Sequence, residues 1–325
     1  MTTQAIRFHQ TGGPEVLRFE EVALGSPGPG EARVRHHAVG LNYIDVYHRN
    51  GLYPVPLPSG LGLEGAGVVE AVGEGVVDLA PGDRVAYAGG ALGAYSQARV
   101  MAADRLVKLP DGISFEQGAA MMLQGMTAQY LLCSTYRVKA GDTILIHAAA
   151  GGVGLMVCQW AKALGATVIG TVSNEAKAAL AQAHGCDHAI LYTRENVAQR
   201  VKEITQGAGV PVVYDSIGKD TFMDSLSSLA PRGLMVSFGN ASGPVPPLDL
   251  GLLAKMGSLF ITRPTLFSYT AKRADLLASA QALFEVVLAG KVKIEVNQRY
   301  ALAEAAAAHR DLEDRKTTGS TILLP

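Results

Sequence analysis

One short stretch limits what this chain can become: His147-Ala148-Ala149-Ala150-Gly151-Gly152-Val153-Gly154. Before it, Asp142-Thr143-Ile144-Leu145-Ile146 is β-branched and apolar and reads as a buried strand. After it, Val153, Met156, Val157, Trp160, Ala161 and Leu164 recur at helical spacing, and Gly165 stands where a left-handed cap belongs. A strand, a glycine turn and a helix start make an anion site, because free backbone N–H groups and the helix dipole both favour negative charge. Gly151 allows close approach of a pyrophosphate, and Gly154 allows the helix to pack tightly on the strand. The pattern is A-x-G-x-x-G, with Ala149 at the first position of the dinucleotide fingerprint. A plain glycine turn is the competing reading. The alternating strands and helices that follow favour the dinucleotide one.

The remaining composition narrows the class. The 325 residues fit one large domain or two ordinary ones, and 48% hydrophobic content with 37 glycines suits an α/β protein with many tight turns. A net charge of −1 supplies no basic field to recruit nucleic acid or an acidic membrane. No apolar run is long enough to span a bilayer, and residues 1–10 lack a signal-peptide core, so the expected compartment is the cytoplasm. Cys133, Cys158 and Cys186 are odd in number and scattered, which argues against a disulfide framework.

The first third reads as short strands at 5–8, 18–22, 32–40, 65–72, 84–87, 94–100 and 105–109, separated by Gly- and Pro-rich turns. That pattern suggests a compact, barrel-like β domain, followed by a helix over 114–133. From Asp142 the rhythm alternates. Strands are expected at 143–148, 167–172, 188–191, 210–215, 234–238 and 259–262, with helices such as 175–184 and 196–206 between them. Six strands with crossover helices make a doubly wound sheet. Residues 272–325 hold two alanine-rich helices and two strands, too little to stand alone, and are expected to pack back on the first domain.

The second strand of that sheet indicates the cofactor. An NAD-binding unit places Asp or Glu ~20 residues past the glycines to hold the ribose hydroxyls. Here the strand ends Gly170-Thr171-Val172-Ser173-Asn174 without a carboxylate. Glu175 already opens the next helix, and Lys177 lies on its first turn. Lys177 can pair with a 2′-phosphate and Ser173 can add a hydroxyl, which favours NADPH. An ordinary solvated lysine is the alternative for Lys177, as a surface arginine is for Arg315, a further candidate for the phosphate.

Several motifs together resemble the zinc-independent medium-chain dehydrogenase/reductases of the bacterial quinone oxidoreductase and zeta-crystallin group. They are Gly12-Gly13-Pro14-Glu15-Val16-Leu17, Asn42-Tyr43-Ile44-Asp45, Gly51-Leu52-Tyr53-Pro54, Gly62-Leu63-Glu64-Gly65-Ala66-Gly67, Pro81-Gly82-Asp83-Arg84-Val85, the loop at 148–154, and Gly233-Leu234-Met235-Val236-Ser237-Phe238-Gly239. The resemblance implies a GroES-like catalytic domain from both chain ends (1–126 and 265–325), a Rossmann NADP-binding domain (127–264), NADPH and a homodimer. It assigns the cofactor to Thr127, Ala150, Gly151, Gly152, Val153, Gly154, Tyr192, Phe238 and Gly239 besides Ser173 and Lys177. It assigns the acceptor to Asn42, Tyr47 and Tyr53. Packing near a turn is the competing role for the tyrosines, and a helix-interior residue for Thr127.

Zinc-using relatives place Cys where Asn42 stands and His where Leu63 stands, and carry a four-cysteine lobe. This chain has no Cys before Cys133, and zinc needs about four thiolate, imidazole or carboxylate ligands. Without a Lewis acid to ionise an alcohol, the expected reaction is hydride delivery to an electrophilic acceptor, a small quinone, with an enal or enone as the alternative. Asn42 would donate to the acceptor oxygen. No residue is singled out as a general acid. Two other classes stay in view: RNA binding, which the neutral charge disfavours, and a crystallin-like structural role. The dimer is expected through the edge strand at 259–262.

Overall fold

The computed structural model describes residues 1–325, which fall into two compact units. The first comprises Met1–Met126, Thr270–Leu288 and Ile294–Pro325, and the second Thr127–Tyr269 with Ala289–Lys293.

The second unit is built on one parallel sheet. In spatial order its strands are His188–Leu191, Thr167–Val172, Thr143–Ile146, Val210–Asp215, Leu229–Ser237 and Phe260–Thr262. The chain enters at the centre, builds to one edge, then returns and builds to the other. The reversal falls beside Thr143–Ile146, the strand that feeds the glycine loop, and such switch points are where open α/β sheets bind ligands. The central strands are largely apolar and buried, as expected of a parallel sheet packed on both faces. Leu145, Ile169, Ile190, Val213 and Met235 are packed with Val197, Val201, Phe222 and Leu226 in one core. Strands Thr167–Val172, His188–Leu191 and Val210–Asp215 lie where the sequence places them. The fifth starts at Leu229 rather than 234. Pro231-Arg232-Gly233 looks like a turn, but the strand takes it in as an irregularity, with Arg232 in the left-handed region at φ 62°.

In the first unit a seven-stranded sheet runs Val296–Ala301, Ser320–Leu324, Glu31–Leu41, Glu64–Val72, Arg84–Ala88, Val107–Lys108, with Ala98–Ala102 also paired to Glu31–Leu41. Arg18–Ala23, Thr2–Phe8 and Ser59–Gly60 make a smaller antiparallel sheet. Phe8, Leu61, Tyr87, Tyr95, Leu106 and Leu323 lie in the core they share. The C-terminal strand thus sits in the middle of the β-rich unit, hydrogen-bonded to Glu31–Leu41.

Three local readings are corrected. The strand expected at 94–100 begins only at Ala98, since Gly93 takes φ 128° and residues 94–97 form a loop touching the small sheet by a single bridge, Ala5 to Ser96. The strand at 105–109 is a 3₁₀ turn, Ala103–Arg105, followed by the two-residue strand Val107–Lys108. The helix at 114–133 is regular over Phe115–Tyr130 and ends in a wider π turn, Leu131–Thr135. One helix, Tyr43–Asn50, has no counterpart in the sequence reading. Its β-branched and aromatic content is poor helix material. Its signals were the Asn42-x-x-Asp45 start and Gly51, which closes it at φ 87°.

Candidate active site

Asn42 is the N-cap of Tyr43–Asn50, yet its side chain does not cap. Asp45 does part of that work, accepting the Asn42 backbone N–H at 2.9 Å. The Asn42 amide is instead held from two sides. Its Nδ2 donates to Glu64 Oε2 at 2.6 Å, and its Oδ1 accepts from Gln124 Nε2 at 3.1 Å. Gln124 Oε1 accepts from Ser320 Oγ at 2.7 Å, and Glu64 Oε1 accepts the Leu123 backbone N–H at 2.7 Å. Asn42, Glu64, Gln124 and Ser320 are all buried. An N-cap side chain drawn away from its own helix gives up about 1 kcal/mol of capping, so its other contacts decide its position.

The helix that starts at Asn42 and the turn after it carry three tyrosines whose rings meet tilted or edge to face. Ring centroids are 5.5 Å apart for Tyr43 and Tyr47, and 5.1 Å for Tyr47 and Tyr53. Tyr53 follows the Gly51 cap, and its backbone N–H returns to the Tyr47 carbonyl at 3.0 Å. Asn42, Tyr47 and Tyr53 are thereby gathered around one short helix. Arg315 belongs to this unit too; its charge lowers the Tyr43 phenol pKa, which burial and Glu313 raise.

Two carboxyl groups here are wholly buried. Burial pushes Glu64 up to about 8, against hydrogen bonds from Asn42 and Leu123 that favour the anion. Burial likewise pushes Asp45 up to about 7, opposed by the Asn42 N–H and the Tyr95 hydroxyl. Beyond Tyr95 the bond directions are fixed by Arg49, which can only donate. Arg49 grips both Glu313 oxygens, at 2.7 and 2.8 Å, and faces His309 Nδ1 at 3.0 Å. His309 Nδ1 must therefore accept, so its proton is on Nε2, facing Tyr95 Oη at 3.2 Å. The Tyr95 hydroxyl donates a hydrogen bond to Asp45 Oδ2 at 3.0 Å. His309 stays neutral, lowered to about 3 by burial and by Arg49. The sequence reading missed Glu64, Gln124 and Ser320. A single carboxylate inside the glycine and apolar run at 62–67 was the one available signal.

In the second unit the site is made of backbone. Gly151 caps Gly152–Ala163 without any side-chain cap, so the N–H groups of Gly152, Val153 and Gly154 are left open. A Cβ on Gly154 would meet the carbonyl oxygens of Ala148 and Ala149 at 2.2 and 2.7 Å, so only glycine fits there. Ala148 adopts φ 54° to make the turn. Ala149 stands in the place of the first glycine because Gly170, on the next strand, leaves room: a Cβ on Gly170 would lie 2.5 Å from the Ala149 methyl. His147 is buried and neutral, bridging Thr171 Oγ1 at 3.0 Å and Ser225 Oγ at 2.9 Å, and serves as a brace.

Val172 pairs with Leu191, so Ser173 and Tyr192 leave adjacent strands side by side, and Thr193 Oγ1 donates to the Ser173 carbonyl at 3.1 Å. Asn174 caps the following helix by accepting the Lys177 N–H at 2.9 Å, which places Lys177 on its first turn. Glu175, the nearest carboxylate, pairs with Arg194 at 3.2 Å; Arg194 is a cation that the sequence reading passed over. Phe238 and Gly239 follow the fifth strand, and a Cβ on Gly239 would lie 2.4 Å from the Ser216 carbonyl oxygen. Thr127 is buried in Phe115–Tyr130, hydrogen-bonded to Tyr130, which stacks on Tyr269 at 4.4 Å.

A GroES-like β unit and a doubly wound nucleotide-binding unit define a dehydrogenase/reductase of the medium-chain class. The comparisons agree. Residues 28–111 match the alcohol dehydrogenase GroES-like domain, and residues 152–281 match the family described as zinc-binding dehydrogenase. A quinone oxidoreductase of Pseudomonas aeruginosa is 60% identical over 98% of this chain and 99% of its own length. A 2-haloacrylate reductase of a Burkholderia species is 49% identical over 98% and 97%. The crystal structure of Escherichia coli quinone oxidoreductase complexed with NADPH superposes with a TM-score of 0.98, at 50% identity, covering all of both chains. The chain belongs to the quinone oxidoreductase group of the medium-chain dehydrogenase/reductases. Its donor set does not fit the metal in one matching family's description. Asn42 and the buried Leu63 offer no zinc ligand, and no three His, Cys, Asp or Glu side chains gather elsewhere.

Asp45 gives a stability test. Its folded pKa is raised, so its contribution is fully present below about pH 4 and is lost as pH rises through about 7. Asp45→Asn keeps one oxygen for the two donors and cannot ionise. Between pH 4 and 7, calorimetry should show the wild type losing stability relative to the variant, by a few kcal/mol on the order of the pKa shift. Parallel curves would contradict the assignment.

Proposed function

We propose that this chain is an NADPH-dependent quinone reductase that works without a metal. The observation that carries the reading is the Asn42 amide, clamped between Glu64 and Gln124 at a position where zinc-using relatives keep a cysteine, on the helix that also carries Tyr47. In this reading the unit containing Asn42 receives the acceptor, and Thr127–Tyr269 binds the cofactor. The open N–H groups of Gly152, Val153 and Gly154, with Ala150 and Gly151 leading into them, hold the pyrophosphate. Phe238 and Gly239 line the end of the fifth strand, Thr127 adds a hydroxyl, and Ser173, Lys177 and Tyr192 hold the 2′-phosphate end. The bound dihydronicotinamide supplies the hydride. Asn42 steadies the acceptor oxygen as negative charge grows on it, and the tyrosine faces hold the ring flat and dry.

The second reading, reduction of an activated alkene, is favoured by the similarity to a 2-haloacrylate reductase. The same donor beside the same aromatic faces would bind an enone oxygen. An acceptor panel with NADPH separates the two. The expected result is rapid reduction of small quinones, slower turnover of enals and enones, no oxidation of simple alcohols, and full activity in strong chelator. Alcohol oxidation that chelation abolishes would overturn the proposal.

Cofactor preference follows from the second strand. No carboxylate ends that strand, the nearest, Glu175, pairs with Arg194, and Lys177 on the first turn of the next helix is the proposed partner of the 2′-phosphate. A charge-assisted hydrogen bond contributes roughly 1.5–3 kcal/mol, so Lys177→Ala should weaken NADPH by roughly ten- to a hundredfold and leave NADH nearly unchanged. Fluorescence titration with both cofactors decides; equal losses would refute the role.

The assembly we propose is a homodimer through Phe260–Thr262. That strand is a sheet edge, paired on one side only, and Phe260 is 61% exposed. Light scattering at micromolar concentration should give twice the chain mass of 34.0 kDa. A monomer would rule this out.

A further inference from the structure

We propose that the protonation state of Glu64 sets which end of the Asn42 amide meets the acceptor, making Glu64 a positioning residue for the reduction. The proposal rests on the reading of Asn42 as the acceptor's hydrogen-bond donor. Its ground is a chain of four buried groups in which every link can run in either direction.

With Glu64 ionised, donation runs one way. Ser320 gives its proton to Gln124, Gln124 gives an N–H to Asn42, and Asn42 gives an N–H to Glu64 Oε2. Both Glu64 oxygens then accept, Oε1 from the backbone of Leu123 with Met122 beside it. Asn42 keeps one further N–H, because its nitrogen carries two hydrogens and Glu64 takes one.

A neutral Glu64 reverses the chain. Oε1 faces only backbone donors, so the proton must sit on Oε2, toward Asn42. It finds an acceptor only if Asn42 turns its Oδ1 to Glu64. Asn42 then gives its N–H to Gln124 Oε1, and Gln124 turns and gives its own to Ser320 Oγ. Ser320 sends its proton to the Ala120 carbonyl, already 3.1 Å away. In either direction each carboxyl and amide oxygen takes part in a hydrogen bond and each amide nitrogen donates at least one, so both are allowed. The difference is that Oδ1 now lies where the free N–H of Asn42 was.

Burial keeps Glu64 in the range where both forms occur, up to about 8. The ionisable groups coupled to it are Asp45, whose charge raises it further, and Tyr87 and Tyr95, which feel its charge. His36 and Arg99 lie beyond, at Tyr87; His36 is lowered to about 4 and is neutral. The anion and its donor-forward chain prevail above this pKa, so reduction should speed up as pH rises through about 8.

Glu64→Gln separates positioning from bulk. The backbone donors at Oε1 claim the glutamine oxygen, so its NH₂ faces Asn42 and locks the reversed direction at every pH. For quinone reduction with NADPH, measured from about pH 6 to 10, the expected result is a flat profile. Its kcat should be roughly ten- to a hundredfold below wild type at the alkaline end, with KM much less changed. The wild-type step should survive in Asp45→Asn, displaced to lower pH because a raising charge is gone. A Glu64→Gln enzyme with the wild-type rise overturns the proposal. Asn42→Ala distinguishes the two levels: if it turns over like wild type, the acceptor reading falls and this one with it. If Asn42→Ala is impaired while Glu64→Gln is not, only the Glu64 role falls. A measurement on the wild type needs no variant to fold. The side-chain amide ¹⁵N resonances of Asn42 and Gln124 should move together with one apparent pKa near 8, and constant resonances from about pH 6 to 10 would overturn the proposal.

Discussion

A carboxyl group taken wholly out of water must be met by donors, and much of the first unit is arranged to meet Glu64. Its donors come from segments far apart in the chain: Asn42 at a helix start, Leu123 within the long helix, and, one link on, Gln124 and the C-terminal Ser320. Gly40 belongs to the same arrangement. A Cβ there would lie 2.3 Å from Glu64 Oε2 and 2.2 Å from the Ala119 carbonyl oxygen. The C-terminal strand pairs beside Gly40 in the central sheet. Packing this unit and positioning Asn42 are therefore a single act. A change that loosens one loosens the other.

The second unit solves its problem with backbone. Its ligand-facing groups are N–H donors at a helix start, aimed by a strand and a tight turn, and its side chains mostly brace that turn. Asp215 shows the division of labour. It is buried, and it gathers the amides of Ile217 and Gly218 and the hydroxyls of Thr221 and Ser225, the last of which meets His147 at the head of the glycine loop. A site of this kind tolerates side-chain drift while the chain trace holds. The proposed acceptor site, built from side-chain amides and rings, has no such tolerance.

This contrast explains what could be read from the sequence. The parallel strands were legible because burial on both faces writes them as continuous apolar runs, and the glycine loop because its chemistry is local. Helix Tyr43–Asn50 was hidden, because its β-branched and aromatic residues disfavour helix. Glu64 could be seen as an unusual charge but not as the partner of Asn42, because that contact joins strands and helices that only the fold brings together. Asn42 to Gln124 spans 82 positions, and no periodicity reports such a pair.

The seating of Ala149 against Gly170 has a consequence for how this chain can change over time. The two methyl positions compete for one space: a side chain at Gly170 on the second strand requires that Ala149, in the glycine turn, lack its methyl. From the present state, replacing Gly170 is a closed step, because a Cβ there would meet the Ala149 methyl at 2.5 Å and Cys186 Sγ at 2.8 Å, so both neighbours must give way before that strand accepts a larger residue. The alanine at the first fingerprint position and the glycine on the second strand are thus tied to each other and to Cys186, and the order of any change among them is set by van der Waals radii.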